Sequence, residues 1–140
     1  MSRDSKAATQ VEATRRSALG RARGQGSAKE GVGHWWSQRL TSIALIVLGC
    51  WFVVSLLSLP SLDYGTLVAW MRSGWTALPL ILFAAVAAWH SQLGIRVIIE
   101  DYIHDIGAKT LLLALSTFIH VVIGVASVLA VLRIALGILA

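Results

Sequence analysis

The chain has 140 residues, enough for one small domain, and 56% of them are hydrophobic while only 14% are charged. A typical soluble domain carries roughly 25% charged residues, so this composition excludes an ordinary soluble enzyme. The net charge of +5 could indicate nucleic-acid binding, but seven of the twelve Lys and Arg residues precede Gly31, and the remainder is too apolar for a nucleic-acid domain.

The first 30 residues form a polar segment rich in Ala, Ser, Gly and Arg, with no aromatic residue and no apolar run. Such a segment has too little apolar surface to offset the entropy lost on folding, so residues 1–30 are predicted to be a disordered arm. A basic arm followed by apolar segments is typical of the cytoplasmic face of a membrane protein.

Three long uncharged runs follow the arm, and each is long enough to cross a bilayer, because about 20 helical residues span its hydrocarbon core. The runs have no polar face, which excludes half-buried strands or helices of a soluble domain. In lipid each backbone must satisfy its own hydrogen bonds, so each run is predicted to be helical. The runs cover residues 40–59, 73–95 and 110–132.

The predicted fold is therefore an all-α integral membrane protein, with a three-helix membrane anchor domain over residues 31–140. Proline and polar residues suggest the limits of its helices: Pro60 should end the first, and Pro79 fits the first turn of the second. Residues 61–72 and 101–109 are predicted to be short polar connections. The three transmembrane helices are expected at about 36–59, 75–100 and 109–133.

Basic residues outside the apolar runs predict the orientation. If the amino terminus is cytoplasmic, the arm, Arg39, Arg96 and Lys109 fall on the cytoplasmic side, and only Arg72 and Arg133 fall on the other. This is the positive-inside distribution. It predicts a multi-pass membrane protein with a cytoplasmic amino terminus and a carboxyl terminus on the opposite side.

His90 is a candidate ligand because ionisable residues at membrane depth are costly and often functional. Gly94 lies four residues later, on the same helical face, and leaves room for a flat group against the helix. An imidazole beside open space is what an axial haem ligand requires. The alternative is a histidine hydrogen-bonded to a neighbouring helix.

His120 repeats this spacing with Gly124. It could ligate the same haem or another one, although hydrogen bonding between helices is the favoured interpretation. The single cysteine, Cys50, lies in an apolar run and is predicted to be a small buried side chain.

Asp101 and Tyr102 follow His90 by about three helical turns, close to the cytoplasmic membrane boundary. A phenol donor beside a carboxylate suits a quinone carbonyl that must be held and protonated. The alternative is an interfacial tyrosine with a solvated acid. Arg39, on the same side, could bind lipid phosphate, a haem propionate or a partner's carboxylate.

These features together resemble the small hydrophobic membrane anchor subunit of succinate dehydrogenase, respiratory complex II. The resemblance runs from about Gly31 to the end of the chain. Its most specific part is the spacing of His90, Gly94 and the pair Asp101-Tyr102.

The entry to the first helix, Trp-Ser-Gln-Arg-Leu-Thr at residues 36–41, adds a moderately specific match. The His-Arg-x-Thr-Gly signature of the larger anchor subunit is absent, because Gln38 stands where that histidine would be. The small subunit is therefore favoured.

The resemblance implies a noncatalytic anchor that docks a flavoprotein subunit and an iron–sulfur subunit and passes electrons from succinate to ubiquinone. It implies that His90 is an axial ligand of haem b, with the second ligand from the larger cytochrome b anchor, and that Gly94 packs against the haem. It further implies that Tyr102, Asp101 and Arg39 bind ubiquinone.

Two alternatives remain open at this stage. The first is a self-contained small b-type cytochrome in which His90 and His120 both supply ligands. The second is a structural or transport membrane protein without haem, although the scarcity of charge within the runs disfavours transport of a charged solute.

Overall fold

The computed structural model describes residues 28–138, and these residues form α-helices and no β-strand. The all-α fold class is thus confirmed for the described part of the chain. The predicted disordered arm lies outside it, except for Ala28–Glu30, which already belong to a helix. In chain order the helices are α1 (Ala28–Leu57), α2 (Tyr64–Arg72), α3 (Gly74–Tyr102) and α4 (Ile106–Ala135).

Three of these helices, α1, α3 and α4, are long and apolar enough to cross a membrane, with candidate spans of 26, 29 and 30 residues. This confirms the predicted three spans. The helices differ from the predicted bounds because hydropathy marks only the hydrocarbon core, whereas a helix continues into polar sequence until a cap ends it. At Pro60 the boundary falls earlier, and α1 ends at Leu57, since proline disfavours helical geometry in the residue before it.

Helix α2 lies where the sequence predicted only a polar connection over residues 61–72, so that prediction was wrong. Asp63 is its N-cap, and its carboxylate accepts a hydrogen bond of 3.0 Å from the backbone N–H of Thr66. The hydroxyls of Ser61 and Thr66 also donate to this carboxylate. These donors, the Ser61 hydroxyl first, hold the pKa of Asp63 well below its ordinary value.

Pro79 is the sixth residue of α3 and not part of its first turn, as the sequence had suggested. The first turn of α3 precedes Pro79, because the N–H groups of Thr76 and Ala77 both donate to the carbonyl of Ser73, each at 2.9 Å. Pro79 has no N–H to donate to the carbonyl of Trp75, so the amino-terminal part of α3 lacks one hydrogen bond of the regular ladder.

The connection between α3 and α4 is shorter than the predicted polar stretch over residues 101–109. Asp105 caps α4 by accepting a hydrogen bond of 2.7 Å from the backbone N–H of Ala108. Gly107 therefore lies in the first turn of α4, and only residues 103–105 link the two helices. The link makes α3 and α4 a tight helical hairpin.

Helices α3 and α4 pack closely where two small residues face each other. A Cβ atom added to Gly124 would lie 3.2 Å from the Cβ of Ala88, tighter than most real contacts. Near the carboxyl-terminal end of α1, aromatic rings join α1, α2 and α3: Trp51 stacks on Trp70, and Phe52 stacks on Phe83 with ring centroids 5.3 Å apart.

Most apolar side chains point outward, as expected of a chain whose solvent is lipid or a partner. Among the described residues only two hydrophobic side chains are buried, Leu80 and Leu93, both on α3. Cys50 is exposed and not buried as predicted. The helices therefore leave extensive apolar surface for lipid or other subunits.

Candidate functional site

His90 lies on α3 with its ring half-buried and facing α1. Its Nδ1 atom is 2.8 Å from the hydroxyl of Thr41, and its Nε2 atom is 3.4 Å from the amide nitrogen of Gln38. Thr41 and Gln38 are three residues apart on α1 and therefore lie on one face of that helix. The two helices thus meet through polar side chains at this point.

Gly94 lies one turn beyond His90 on the same helix. A Cβ atom at this position would be 4.0 Å from the amide nitrogen of Gln38, an ordinary van der Waals distance. The amide of Gln38 therefore occupies the space beside Gly94 and in front of the Nε2 atom. Its own Oε1 atom is buried and has no hydrogen-bond partner within the described residues.

These residues fit the requirements of a haem ligand. One ring nitrogen of His90 is held by a neighbouring hydroxyl, while the other contacts only an amide at the outer limit of hydrogen bonding. The amide belongs to a flexible side chain with an unsatisfied oxygen, so another group could displace it at little cost. A haem would need only one imidazole from this chain, since the porphyrin itself would supply four nitrogen donors to the iron.

His120, on α4, has different surroundings. Its Nδ1–H donates to the carbonyl of Ser116 at 2.7 Å, and its Nε2 is 3.1 Å from the hydroxyl of Ser91 on α3. Since Nδ1 carries the proton, Nε2 must accept from that hydroxyl. At His120 the structure therefore has a hydrogen bond between helices, the interaction that the sequence favoured.

An open cleft of about 660 Å³ lies between α3 and α4 beside His120, and His90 does not line it. The amide of Gln92 spans it by donating to the hydroxyl of Thr117 at 3.2 Å. The remaining lining is mostly apolar. Its polar or glycine members are Gln92, Arg96, Thr117, His120 and Gly124.

Two of the three residues predicted to bind quinone lie at the end of α3 that leads into the link to α4. Tyr102 is the last residue of α3 and is 77% exposed, and Asp101 beside it is also exposed. Arg39 is exposed on α1, in the turn that also contains Gln38 and Thr41. The structure brings His90 and its two α1 partners together, whereas no described contact joins Tyr102 or Asp101 to them.

Arg96 and Lys109 both make polar contacts near the end of α3, and that of Lys109 joins α4 to α3. The guanidinium of Arg96 pairs with the carboxylate of Glu100 at 2.8 Å, and the ammonium of Lys109 donates to the Glu100 carbonyl at 3.0 Å. These contacts place Arg96 and Lys109 at the same end of the helical hairpin.

Sequence reasoning missed the roles of Gln38 and Thr41 beside His90. Both were noted, but only as part of an entry motif and as a difference from the larger anchor. A usable signal was present, because two polar residues three positions apart at the start of an apolar helix form a polar face. Sequence alone did not indicate which histidine that face would meet.

The architecture defines a class: a small polytopic membrane protein whose apolar helices carry hydrogen-bonded histidines. A model of the family described as "Succinate dehydrogenase/Fumarate reductase transmembrane subunit" matches residues 13–126. The match covers most of the chain, and the chain belongs to this family.

Curated relatives agree with this assignment. The succinate dehydrogenase hydrophobic membrane anchor subunit of Rickettsia conorii is 33% identical over 84 residues, which cover 59% of this chain and 67% of the relative. The subunit of the same name from Paracoccus denitrificans is 31% identical over 116 residues, covering 83% of this chain and 89% of the relative. The resemblance to the small membrane anchor is thus confirmed.

Proposed function

We propose that this chain anchors a succinate:quinone oxidoreductase in the bacterial inner membrane, without catalysing succinate oxidation itself. A flavoprotein subunit and an iron–sulfur subunit would dock at its cytoplasmic face, and the larger cytochrome b anchor would pack beside it. Membership of the family and the names of the relatives support this role. The broad apolar outer surface is consistent with a partner subunit and lipid as neighbours.

His90 would supply one axial ligand to haem b, and the larger anchor would supply the other. The observation that carries this proposal is the state of the ring: one nitrogen is bonded to Thr41, and the other faces a displaceable amide beside Gly94. When bound, the haem would supply one-electron transfer within the membrane. The chain's own residues would hold the ligand, orient its ring and exclude water.

Ubiquinone would bind near Tyr102, with Asp101 and Arg39 contributing. A phenol O–H can donate to a quinone carbonyl and stabilise the negative charge that develops as electrons arrive. Two electrons from the iron–sulfur subunit and two protons convert the quinone to quinol. The exposed Asp101 carboxylate could relay protons from water, and the exposure of Tyr102 leaves its hydroxyl open to a ligand.

The amino terminus would be cytoplasmic. Arg39 lies in the amino-terminal half of α1, while Arg96 and Lys109 lie in the linked halves of α3 and α4. Arg72, by contrast, lies 3.8 Å from the position of a Cβ atom on Gly137, just beyond the other end of α4. Three spans and this distribution of charge support a periplasmic carboxyl terminus.

The decisive experiment is purification of the tagged chain from native membranes in a mild detergent. We expect three partner subunits to co-purify, with succinate-dependent ubiquinone reduction and a reduced-minus-oxidised spectrum of low-spin haem b. An untagged strain carried through the same steps is the control. Recovery of the chain without flavoprotein or iron–sulfur subunits would contradict the proposal.

The same preparation distinguishes the alternatives. A purified single subunit with a bis-histidine haem would identify a self-contained cytochrome, although Nε2 of His120 has a closer partner, at 3.1 Å, than Nε2 of His90, at 3.4 Å. Absence of haem and quinone dependence would indicate a structural protein. Reporter fusions at the carboxyl terminus test the orientation: a periplasm-sensing reporter should be active, and activity only in a cytoplasmic reporter would contradict it.

A further inference from the structure

The Thr41 hydroxyl determines which nitrogen of His90 carries the proton. This hydroxyl is 2.7 Å from the carbonyl of Ser37, one turn earlier on α1, and 2.8 Å from Nδ1 of His90. A carbonyl can only accept, so the single hydroxyl proton is donated to Ser37. The Thr41 oxygen must then accept from His90, which places the imidazole proton on Nδ1.

Gln38 supports the same assignment from the other side of the ring. With the proton on Nδ1, Nε2 carries a lone pair, and the amide N–H of Gln38 faces it at 3.4 Å. The distance is long, so this contact is weak. Nε2 is therefore the nitrogen that is available to a metal, and its direction is set by the bond at Nδ1.

We propose that Thr41 is a positioning residue for His90, holding its tautomer and ring orientation so that Nε2 points to the haem iron. This inference rests on the proposed function, in which His90 ligates haem b. A hydrogen bond from the distal N–H of a ligating histidine fixes the ring and raises its basicity, and losing such a partner typically reduces metal affinity by about 10–100-fold. Thr41 does not touch the iron and acts only through His90.

Ser42 provides a matched control on the same helix. Its hydroxyl donates to the carbonyl of Gln38 at 2.8 Å, and Thr41 also lies 3.1 Å from that carbonyl. Both residues therefore make the same kind of bond to the backbone of α1. Of these two residues, only Thr41 has a described contact with the imidazole of His90. Comparing variants of Thr41 and Ser42 therefore separates an effect on the histidine from an effect on the helix.

The test compares Thr41→Val, Thr41→Ser and Ser42→Ala in the purified complex, each normalised to the amount of assembled subunits. Valine keeps the branched shape but removes the acceptor. We expect Thr41→Val to lose haem about 10–100-fold more readily during washing with a haem-binding competitor. The haem remaining should have a more positive midpoint potential, because a less basic imidazole stabilises ferric iron less.

Serine restores the hydroxyl, so Thr41→Ser should return both haem retention and midpoint potential close to the values of the unchanged protein. Ser42→Ala should leave both unchanged. Should Thr41→Val fail to assemble, Thr41→Ala is measured in the same way. Unchanged retention and potential in the Val or Ala variant would overturn the proposal, as would equal shifts in Ser42→Ala.

His90→Ala, prepared alongside, keeps this result separate from the proposed function. If His90→Ala lacks the haem b spectrum while Thr41→Val behaves as the unchanged protein, only the role of Thr41 is wrong. If His90→Ala retains an unaltered haem spectrum, the ligand assignment fails, and the role of Thr41 fails with it.

Discussion

Two histidines followed four residues later by glycine lie in adjacent helices of this chain, but their surroundings differ. His90 reaches across to Thr41 and Gln38 on α1 and leaves Nε2 against a weakly held amide. His120 has both nitrogens bonded, one to its own helix and one to Ser91. The same spacing thus supports a candidate ligand in one place and a link between helices in the other.

The glycines of the two motifs differ in the same way. Beside Gly94 there is a flexible amide at an ordinary contact distance, whereas Gly124 allows the close approach of α3 and α4. Hydrogen-bond partners and local spacing therefore distinguish a ligand site from a packing site, which the pattern of residue types alone does not.

The largest expected difference between the two histidines is in haem content. His90→Ala should remove the low-spin haem b absorption from the assembled complex, because it removes the imidazole proposed to bind the iron. His120→Ala should retain it, since this ring serves a hydrogen bond between helices. A reduced-minus-oxidised spectrum per assembled complex measures both, with His104→Ala as an exposed control. If His120→Ala lost haem while His90→Ala kept it, His120 and not His90 would be the ligand.

Tyr102 lies at the exposed carboxyl-terminal end of α3. Tyr102→Phe removes its hydroxyl donor but keeps the aromatic ring. We expect ubiquinone reduction to fall, by at most about 10²–10³-fold, the cost of losing one donor in oxyanion sites, and by less if a second donor comes from the larger anchor. Succinate-driven reduction of a soluble dye that accepts electrons upstream should stay near normal. Asp101→Asn should give a milder, pH-dependent defect.

Equal quinone and dye rates in Tyr102→Phe, at unchanged assembly, would show that this tyrosine is only an interfacial anchor. Haem absorption should be unchanged in this variant, because the backbone of Tyr102 lies about 18 Å along the helix from that of His90. The roles of His90 and Tyr102 would then be functionally separable.

Replacing Gly124 by a larger residue should lower stability, whereas replacing Gly94 should lower haem content. Gly124→Val forces side-chain atoms against Ala88, and overpacking of this kind costs about 1–3 kcal/mol. Thermal unfolding of the solubilised complex should therefore occur at lower temperature, with haem content per folded complex unchanged. Gly94→Ala should not lower stability, yet it should reduce haem content if the porphyrin lies against this glycine. The reverse pattern would show that Gly94 is the packing residue.

The smallest effect is expected for Ser91→Ala, which removes the donor to Nε2 of His120. Hydrogen bonds between membrane helices average about 0.6 kcal/mol in one well-studied protein, so a slight drop in unfolding temperature is expected. The haem spectrum should be unaltered. A spectral change as large as that of Thr41→Val would indicate that His120 has a ligand's role after all.

Much of the fold could be predicted from sequence, because an apolar run of more than 18 residues without charge has few alternatives in water or lipid. The three spans and the family resemblance follow from such runs and from the spacing of His90, Gly94 and Tyr102. Helix ends were less accurate, because they depend on caps such as Asp105 and on hydrogen bonds beyond the hydrocarbon core.

Helix α2 was missed for a related reason. Its nine residues include too few apolar positions to suggest a span, and its stability depends on the Asp63 cap and on the stacking of Trp70 against Trp51. Likewise, the sequence predicted His90 as a candidate but not its partners, since the rotation of α1 about its axis decides whether Thr41 meets α3. That rotation is a property of packing and has no local signature.

The amide of Gln38 has a consequence for biogenesis. A membrane chain is made before its prosthetic group and partner subunit arrive, and a bare imidazole nitrogen in hydrocarbon would be an unsatisfied polar atom. The amide N–H of Gln38 covers that nitrogen in the meantime, at the expense of its own oxygen, which has no partner in the described part of the chain. If His90 ligates haem b as proposed, the Gln38 amide would have to move away from Nε2 before the iron could bind there.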